Sequence, residues 1–168
     1  MNEEERKRIF QGWLEHHRGL IFKIVRAYTQ TIMDREDLFQ EIAVQLWKSI
    51  SSFRGESKET TWIYRVAINT SIRWLRAEKR RTKVDMRDVQ LVLHETESAA
   101  DQQLAWLYDE IAKLDDVDRS LALMLLEDFS YKEMSVVLGI SESNVGVRIH
   151  RIKKQLMSKS GKVDRYEV

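Results

Sequence analysis

The chain has 168 residues with 43% hydrophobic content, no cysteine, no proline, six glycines and a formal net charge of +1. That composition excludes a disordered chain, a disulfide framework and a thiolate metal site. No apolar run approaches the ~18 residues of a membrane span, and the charged start MNEEERKRIF has no apolar signal core, so the expectation is a cytoplasmic protein without membrane insertion. With nothing to interrupt long helices, the fold class expected is all-α.

The small net charge hides a segregation. From Arg73 to Lys83 six Lys or Arg accompany one acid, Glu78, and from Arg148 to Lys162 six basic residues stand without an acid. Between them, from Val84 to Asp118, ten acids face only Arg87 and Lys113. Two basic patches separated by an acidic segment suit two contact surfaces for a polyanion.

In chain order, Glu3 to Tyr28 reads as one or two helices with Ile9, Phe10, Trp13, Leu14, Leu20, Ile21, Ile24, Val25 and Tyr28 inside. His16 and His17 lack a second ligand three or four residues away, so both are expected at the surface. The next helix is expected to start at Asp34 as N-cap, with acids in its first turn. Leu38, Phe39, Ile42, Ala43, Leu46, Trp47 and Ile50 form its apolar face, leaving Asp37, Gln40, Glu41 and Gln45 outside. Without a Glu-x-x-His pair this acidic face suits protein docking better than a metal.

A polar loop from Arg54 to Thr61, containing Gly55, precedes a helix expected from Thr61 to Arg80. At about 100° per residue, Trp62, Arg65, Asn69, Arg73, Arg76 and Arg80 share one narrow face, and Ile63, Val66, Ala67, Ile68, Trp74 and Leu75 cover the rest. Arginines, one amide and one aromatic without an acid suit phosphates, base edges and stacked bases. Residues 84–103 are polar and acidic and read as a linker between an N-terminal domain, 1–83, and a C-terminal one, 104–168. Leu104, Leu107, Tyr108, Ile111 and Leu114 open the second domain, followed by a helix from Asp116 with Leu121, Ala122, Met124 and Leu125 inside.

Ser130 and Glu133 form a capping-box signature, and Gly139 suits the end of that helix. Ser141 is the next N-cap, and Val145, Ile149, Ile152 and Leu156 form an apolar row. This is a helix-turn-helix pattern. Ser143, Asn144, Val147, Arg148, His150, Arg151 and Lys154 lie opposite or beside the row, on the side a recognition helix turns to the major groove.

Two stretches resemble one family. EDLFQEIAVQLWKSISSFRGESKETTWIYRVAINTSIRWLRAEKRR and LDDVDRSLALMLLEDFSYKEMSVVLGISESNVGVRIHRIKKQL are similar to the promoter-melting and helix-turn-helix domains of the extracytoplasmic-function (ECF) sigma factors, bacterial transcription initiation subunits. The resemblance implies two small helical domains joined by a linker that threads toward the polymerase cleft. It implies core RNA polymerase and promoter DNA as partners, with an anti-sigma factor for regulation and no cofactor. Residue by residue, Asp37, Gln40 and Glu41 match the polymerase-docking helix. Phe53 to Thr61, including Arg54 and Gly55, match the loop that captures a base flipped from the nontemplate strand. Asn69 and its basic neighbours match the strand-contacting helix, and Asn144 to Arg151 match the helix reading the minus-thirty-five element. Gly146 and Val147 stand where many members carry arginine and serine, and His150 where an aromatic is frequent. No Gly-rich phosphate loop, nucleophile-base pair or metal cluster is present in the sequence, so catalysis is not expected. The rivals are a dimeric helix-turn-helix repressor, which needs no striped helix, a metal-dependent helical enzyme resting on Asp34, Asp37 and Glu41, and a structural adaptor.

Overall fold

The computed structural model describes residues 1–82 and 99–163, helices joined by turns, bends and short irregular segments with no strand among them. It divides into two compact units, Met1–Ala105 and Trp106–Val168. Of the segment expected as a linker, 84–98 lies outside the described residues, and 99–103 belongs to a helix.

In the first unit α1 (Glu3–Tyr28), α2 (Ile32–Ser49) and α3 (Glu59–Thr82) pack against one another pairwise. A 3-10 turn, Ile50–Ser52, leads out of α2. The N-terminal region is one helix, not two: Asn2 caps it by accepting from the Glu5 amide at 2.8 Å, and Glu3, Glu4 and Glu5 complement the positive end of its dipole. The core is Trp13, Ile21, Ile24, Val25, Leu38, Ile42, Leu46, Ile63, Tyr64, Ala67 and Ile68. Each fully buried Ile or Leu contributes roughly 1.5–3 kcal/mol relative to an exposed one. Ile9, Phe10, Leu14, Phe39, Ala43, Trp47, Val66, Trp74 and Leu75, expected inside, are only half-buried. Thr70 and Ser71 are buried on α3 because each hydroxyl donates to the carbonyl four residues earlier, Val66 O and Ala67 O, which removes most of the cost of burying it. Arg6 fastens α1 to α2: its guanidinium donates to Trp47 O at 2.8 and 3.3 Å and lies 4.4 Å from the Trp47 ring centroid.

Two boundaries differ from expectation. The N-cap of α2 is Thr31, whose hydroxyl accepts from the Asp34 amide at 3.0 Å; Asp34 lies inside the first turn, where its charge meets the helix dipole. Helix α3 begins at Glu59, so the polar loop ends at Lys58 and Thr61 is a buried first-turn residue.

Helix α4 (Ala99–Ala112) crosses the boundary between the units, and α5 (Asp116–Leu126), α6 (Tyr131–Leu138) and α7 (Glu142–Val163) follow in the second. Leu104 is exposed and Leu107 half-buried, while Ala105, Tyr108, Ile111 and Leu114 are buried. Arg119 is buried at the start of α5 and donates to Ala112 O and Leu114 O, carbonyls at the end of α4 and just beyond it. The capping box at α6 forms as the sequence indicates: Ser130 Oγ accepts from the Glu133 amide and Glu133 Oε2 from the Ser130 amide. Gly139 ends α6 at φ 66°, a left-handed conformation that glycine adopts without a Cβ clash. The Ser135 hydroxyl donates to Ile140 O across the turn at 2.6 Å, and Ser141 caps α7 through the Asn144 amide at 3.1 Å. Val145, Ile149 and Ile152 of α7 are buried against α5 and α6, with Leu156 half-buried.

Candidate nucleic-acid and polymerase interfaces

Along α3, Arg65, Asn69, Arg73, Arg76 and Arg80 are all exposed, while Ile63, Tyr64, Ala67 and Ile68 on the other side are buried. Among the described residues no acid is paired with Arg65, Arg73 or Arg80. Trp62 departs from this stripe. It is half-buried, its indole N–H donates to Ser49 Oγ at 3.2 Å, and its ring packs 5.5 Å from that of Phe53. A rotation angle along α3 cannot register this, because both partners lie outside that helix: Ser49 ends α2 and Phe53 follows the 3-10 turn.

Phe53 is likewise half-buried. It stands between Trp62 and the buried Trp13, 5.6 Å from the latter, edge to face. The polar loop therefore rises from an aromatic stem. Arg54, Gly55, Glu56 and Lys58 are exposed above it, with Gly55 at φ 73° making the turn. The far end of the loop is held by Glu59, whose carboxylate bonds His17 Nε2 at 2.9 Å. His17 was expected at the surface, yet its side chain is only 16% exposed. His16 is exposed, as expected, with Nδ1 2.7 Å from Gly12 O.

On α2, Asp37, Gln40 and Glu41 are exposed on the side opposite Leu38, Ile42 and Leu46. Gln45, expected outside with them, is half-buried, and its amide donates to Glu41 Oε1 at 2.9 Å. Among the described residues no group of three or more His, Cys, Asp or Glu could hold a metal.

On α7, Ser143, Asn144, Val147, His150 and Lys154 are exposed. Arg148 and Arg151 are not free on that surface. They share the carboxylate of Asp118 from the first turn of α5: Arg148 Nη1 lies 2.7 Å from Oδ1 and Arg151 Nη2 2.9 Å from Oδ2. The side chain of Asp118 is 9% exposed, that of Arg148 27% and that of Arg151 58%. A second acid grips α7 further along. Glu110 of α4, also buried, is 2.7 Å from both Lys113 and Lys159. The hydrogen bonds from Lys113 and Lys159 hold its carboxyl below the usual carboxylate range, and Glu110 in turn raises Lys113. In the first unit, burial and then the charge of Arg26 lower Arg35 from its ordinary value.

Asp118 was missed in the sequence because an acid thirty or more residues from its cations leaves no local pattern; for Glu110 the sequence holds the nearby Lys113 but gives no sign of the distant Lys159. At Gly146 a Cβ would meet the Tyr131 ring at 3.6 Å, an ordinary van der Waals contact, so packing does not by itself require glycine there.

Residues 13–81 match the Sigma-70 region 2 family and residues 104–156 the Sigma-70 region 4 family. Among relatives, the chain is 29% identical over 170 residues to the RNA polymerase sigma factor YlaC of Bacillus subtilis, covering 89% of this chain and 98% of that one. It is also 29% identical to the ECF RNA polymerase sigma-E factor of Haemophilus influenzae, covering 91% and 88%. Its fold is similar to that of the sigma factor RpoE of Bartonella quintana, solved in complex with the anti-sigma factor NepR, with TM-score 0.75, 18% identity and coverage of 90% and 96%. It is also similar to CnrH in complex with the cytosolic domain of CnrY, with TM-score 0.68, 22% identity and coverage of 93% and 90%. The chain belongs to the sigma-70 family, in its ECF group. It is a promoter-specific transcription initiation factor that works with RNA polymerase.

Proposed function

We propose that the first unit both docks on core polymerase and opens the promoter. In this reading Asp37, Gln40 and Glu41 meet the polymerase. The loop from Arg54 to Lys58, on its Phe53–Trp62 stem, receives the base extruded from the minus-ten strand. Arg65, Asn69, Arg73, Arg76 and Arg80 follow the strand, while Ser143, Asn144, Val147, His150, Arg151 and Lys154 face the upstream duplex. Residues 1–83 and 104–168 act as the two functional domains. The chain performs no chemistry of its own and works in the cytoplasm, where an anti-sigma factor restrains it. Such restraint accords with the sigma factor RpoE of similar fold, solved with the anti-sigma factor NepR, and no helix among the described residues is long and apolar enough to cross a membrane.

The observation that carries this reading is the open stripe on α3. Four exposed arginines and one amide lie beside a polar loop on a helix whose other side buries Ile63, Tyr64, Ala67 and Ile68. Extruding a base costs a few kcal/mol. A factor without a nucleotide-driven step recovers that cost only by binding the opened strand. Asn69 is the one group on the stripe that both donates and accepts, and so can read a base edge.

Asn69→Ala should leave the melting temperature and polymerase affinity near wild type and slow promoter opening by about tenfold or more, the loss of one base-edge contact. Premelted templates should only partly rescue it. Permanganate footprinting with run-off transcription on duplex and premelted templates measures both. Opening at the wild-type rate with unchanged base preference would remove Asn69 from the strand.

A further inference from the structure

We infer that Asp118, on α5 and outside the surface that faces DNA, is a positioning residue for sequence readout by α7. It holds the Arg151 guanidinium in a fixed direction, with Arg148 as the counter-charge that allows the carboxylate to be there. This rests on the reading of α7 as the duplex-facing helix.

The geometry is a bridge with each oxygen used once: Oδ1 accepts from Arg148 and Oδ2 from Arg151. Both ends of the bridge are fixed. Asp118 is held at the start of α5 because its amide donates to the capping carboxylate of Asp115 at 2.8 Å, and its neighbour Arg119 is buried. The two arginines, three residues apart on α7, lie about 60° from one another around the helix, beside the buried Ile149 and Ile152. An exposed arginine has several rotamers of similar energy, and a fork that is to read one base must be ordered first. Here that ordering is built in.

The two arginines divide the work by exposure. Arg148, at 27%, spends its charge on the nearly buried carboxylate; Arg151, at 58%, uses one N–H on Asp118 and keeps its other donors at the surface. Arg151 also lies about 40° around the helix from the exposed Val147, at the margin of the open face. With Asp115 also 3.9 Å from Arg148, the two arginines face two acids and the cluster carries no net charge. It therefore attracts DNA of any sequence less than two free arginines would, while it directs one fork at one place.

The test uses holoenzyme assembled from core polymerase and the full chain, wild type or variant. A duplex library randomised over the upstream region is enriched by binding. Affinity is then measured for the enriched duplex and for a scrambled one across a range of salt. Asp118→Asn should reduce the ratio of the two affinities by about five- to a hundredfold, the discrimination carried by one well-placed fork. Affinity for scrambled duplex should hold or rise, with a salt slope steeper by about one as the released arginine takes a phosphate. Asp118→Glu keeps the charge but lengthens the arm, so its slope should stay at wild type while its discrimination falls at least about threefold. In an Arg151→Ala background, Asp118→Asn should cost no further discrimination.

Equal loss on both duplexes, tracking a lower melting temperature, would make Asp118 a stabilising residue only and overturn the inference. Unchanged discrimination in Asp118→Glu would do the same, and it decides the matter if Asp118→Asn does not fold. A wild-type holoenzyme that enriches no upstream sequence would instead overturn the reading of α7 as a duplex reader.

Discussion

On α3, Arg65, Arg73 and Arg80 stand exposed without an acid paired to them among the described residues, whereas on α7 Arg148 and Arg151 are bound to one carboxylate and Lys159 to another. The difference matches the two forms of DNA each region is proposed to meet. An opened strand has no fixed backbone path, so cations that follow it must keep their rotamers. A duplex presents base edges at fixed positions, so cations that read it gain from being held beforehand. The two regions carry similar charge in sequence and differ in how much of it is committed inside the protein.

The largest test of the contrast removes the uncommitted side. The triple change of Arg65, Arg73 and Arg80 to Ala should abolish most of the salt dependence of binding to premelted templates. Three phosphate contacts on a single strand carry a slope of about 2, so affinity lost between about 50 and 200 mM salt should shrink by roughly twentyfold relative to wild type. Measured by anisotropy across that range, an unchanged slope would show that the stripe does not follow the strand.

The second test separates the committed pair. Arg148→Ala should lower the stability of the second unit by about 1–3 kcal/mol, because it leaves the nearly buried Asp118 with one partner. Arg151→Ala should change stability less, since its side chain is more than half exposed, and should weaken upstream-duplex binding by about 1–3 kcal/mol. Thermal melting and duplex titration of both variants check the division. Equal melting temperatures would mean that the two arginines share the carboxylate evenly.

What could be read from the sequence follows from the range of each signal. The stripe on α3 was legible because it repeats with the helix period, and so was the capping box at Ser130, whose two halves lie three residues apart. The start of α2 was misplaced although Thr31 and Asp34 form the same kind of short-range pattern: two acids after Asp34 made Asp34 look like the cap. Trp62 reads as part of the open stripe because a helix angle knows only its own helix, whereas its partners Ser49 and Phe53 flank the preceding 3-10 turn. Asp118 had no local mark at all. Its meaning depends on two residues of α7 that only tertiary packing brings near.

The smallest effect concerns acid. The Glu110 carboxyl lies below its ordinary value of 4.5 in the folded chain, held by Lys113 and Lys159. The folded state then binds fewer protons than the unfolded one between the depressed and the ordinary value. The contribution is fully present above pH 4.5 and is lost as pH falls through the depressed value. Glu110→Gln should flatten this part of the melting-temperature profile by an amount below that of Arg148→Ala. A profile with the same acid slope in variant and wild type would remove Glu110 from the fastening of α7.

The row formed by Trp13, Phe53 and Trp62 has an optical consequence. Trp13 is sealed in the core, while Trp62 is half-buried at the foot of the loop, with its indole N–H on Ser49 and its ring against Phe53. Indole emission responds to both hydrogen bonding and local polarity, and both contacts here belong to the stem from which the loop rises. The chain thus contains a chromophore at the foot of the loop proposed to hold the flipped base, placed so that filling the loop and loosening its stem would leave different spectral signatures without any attached label.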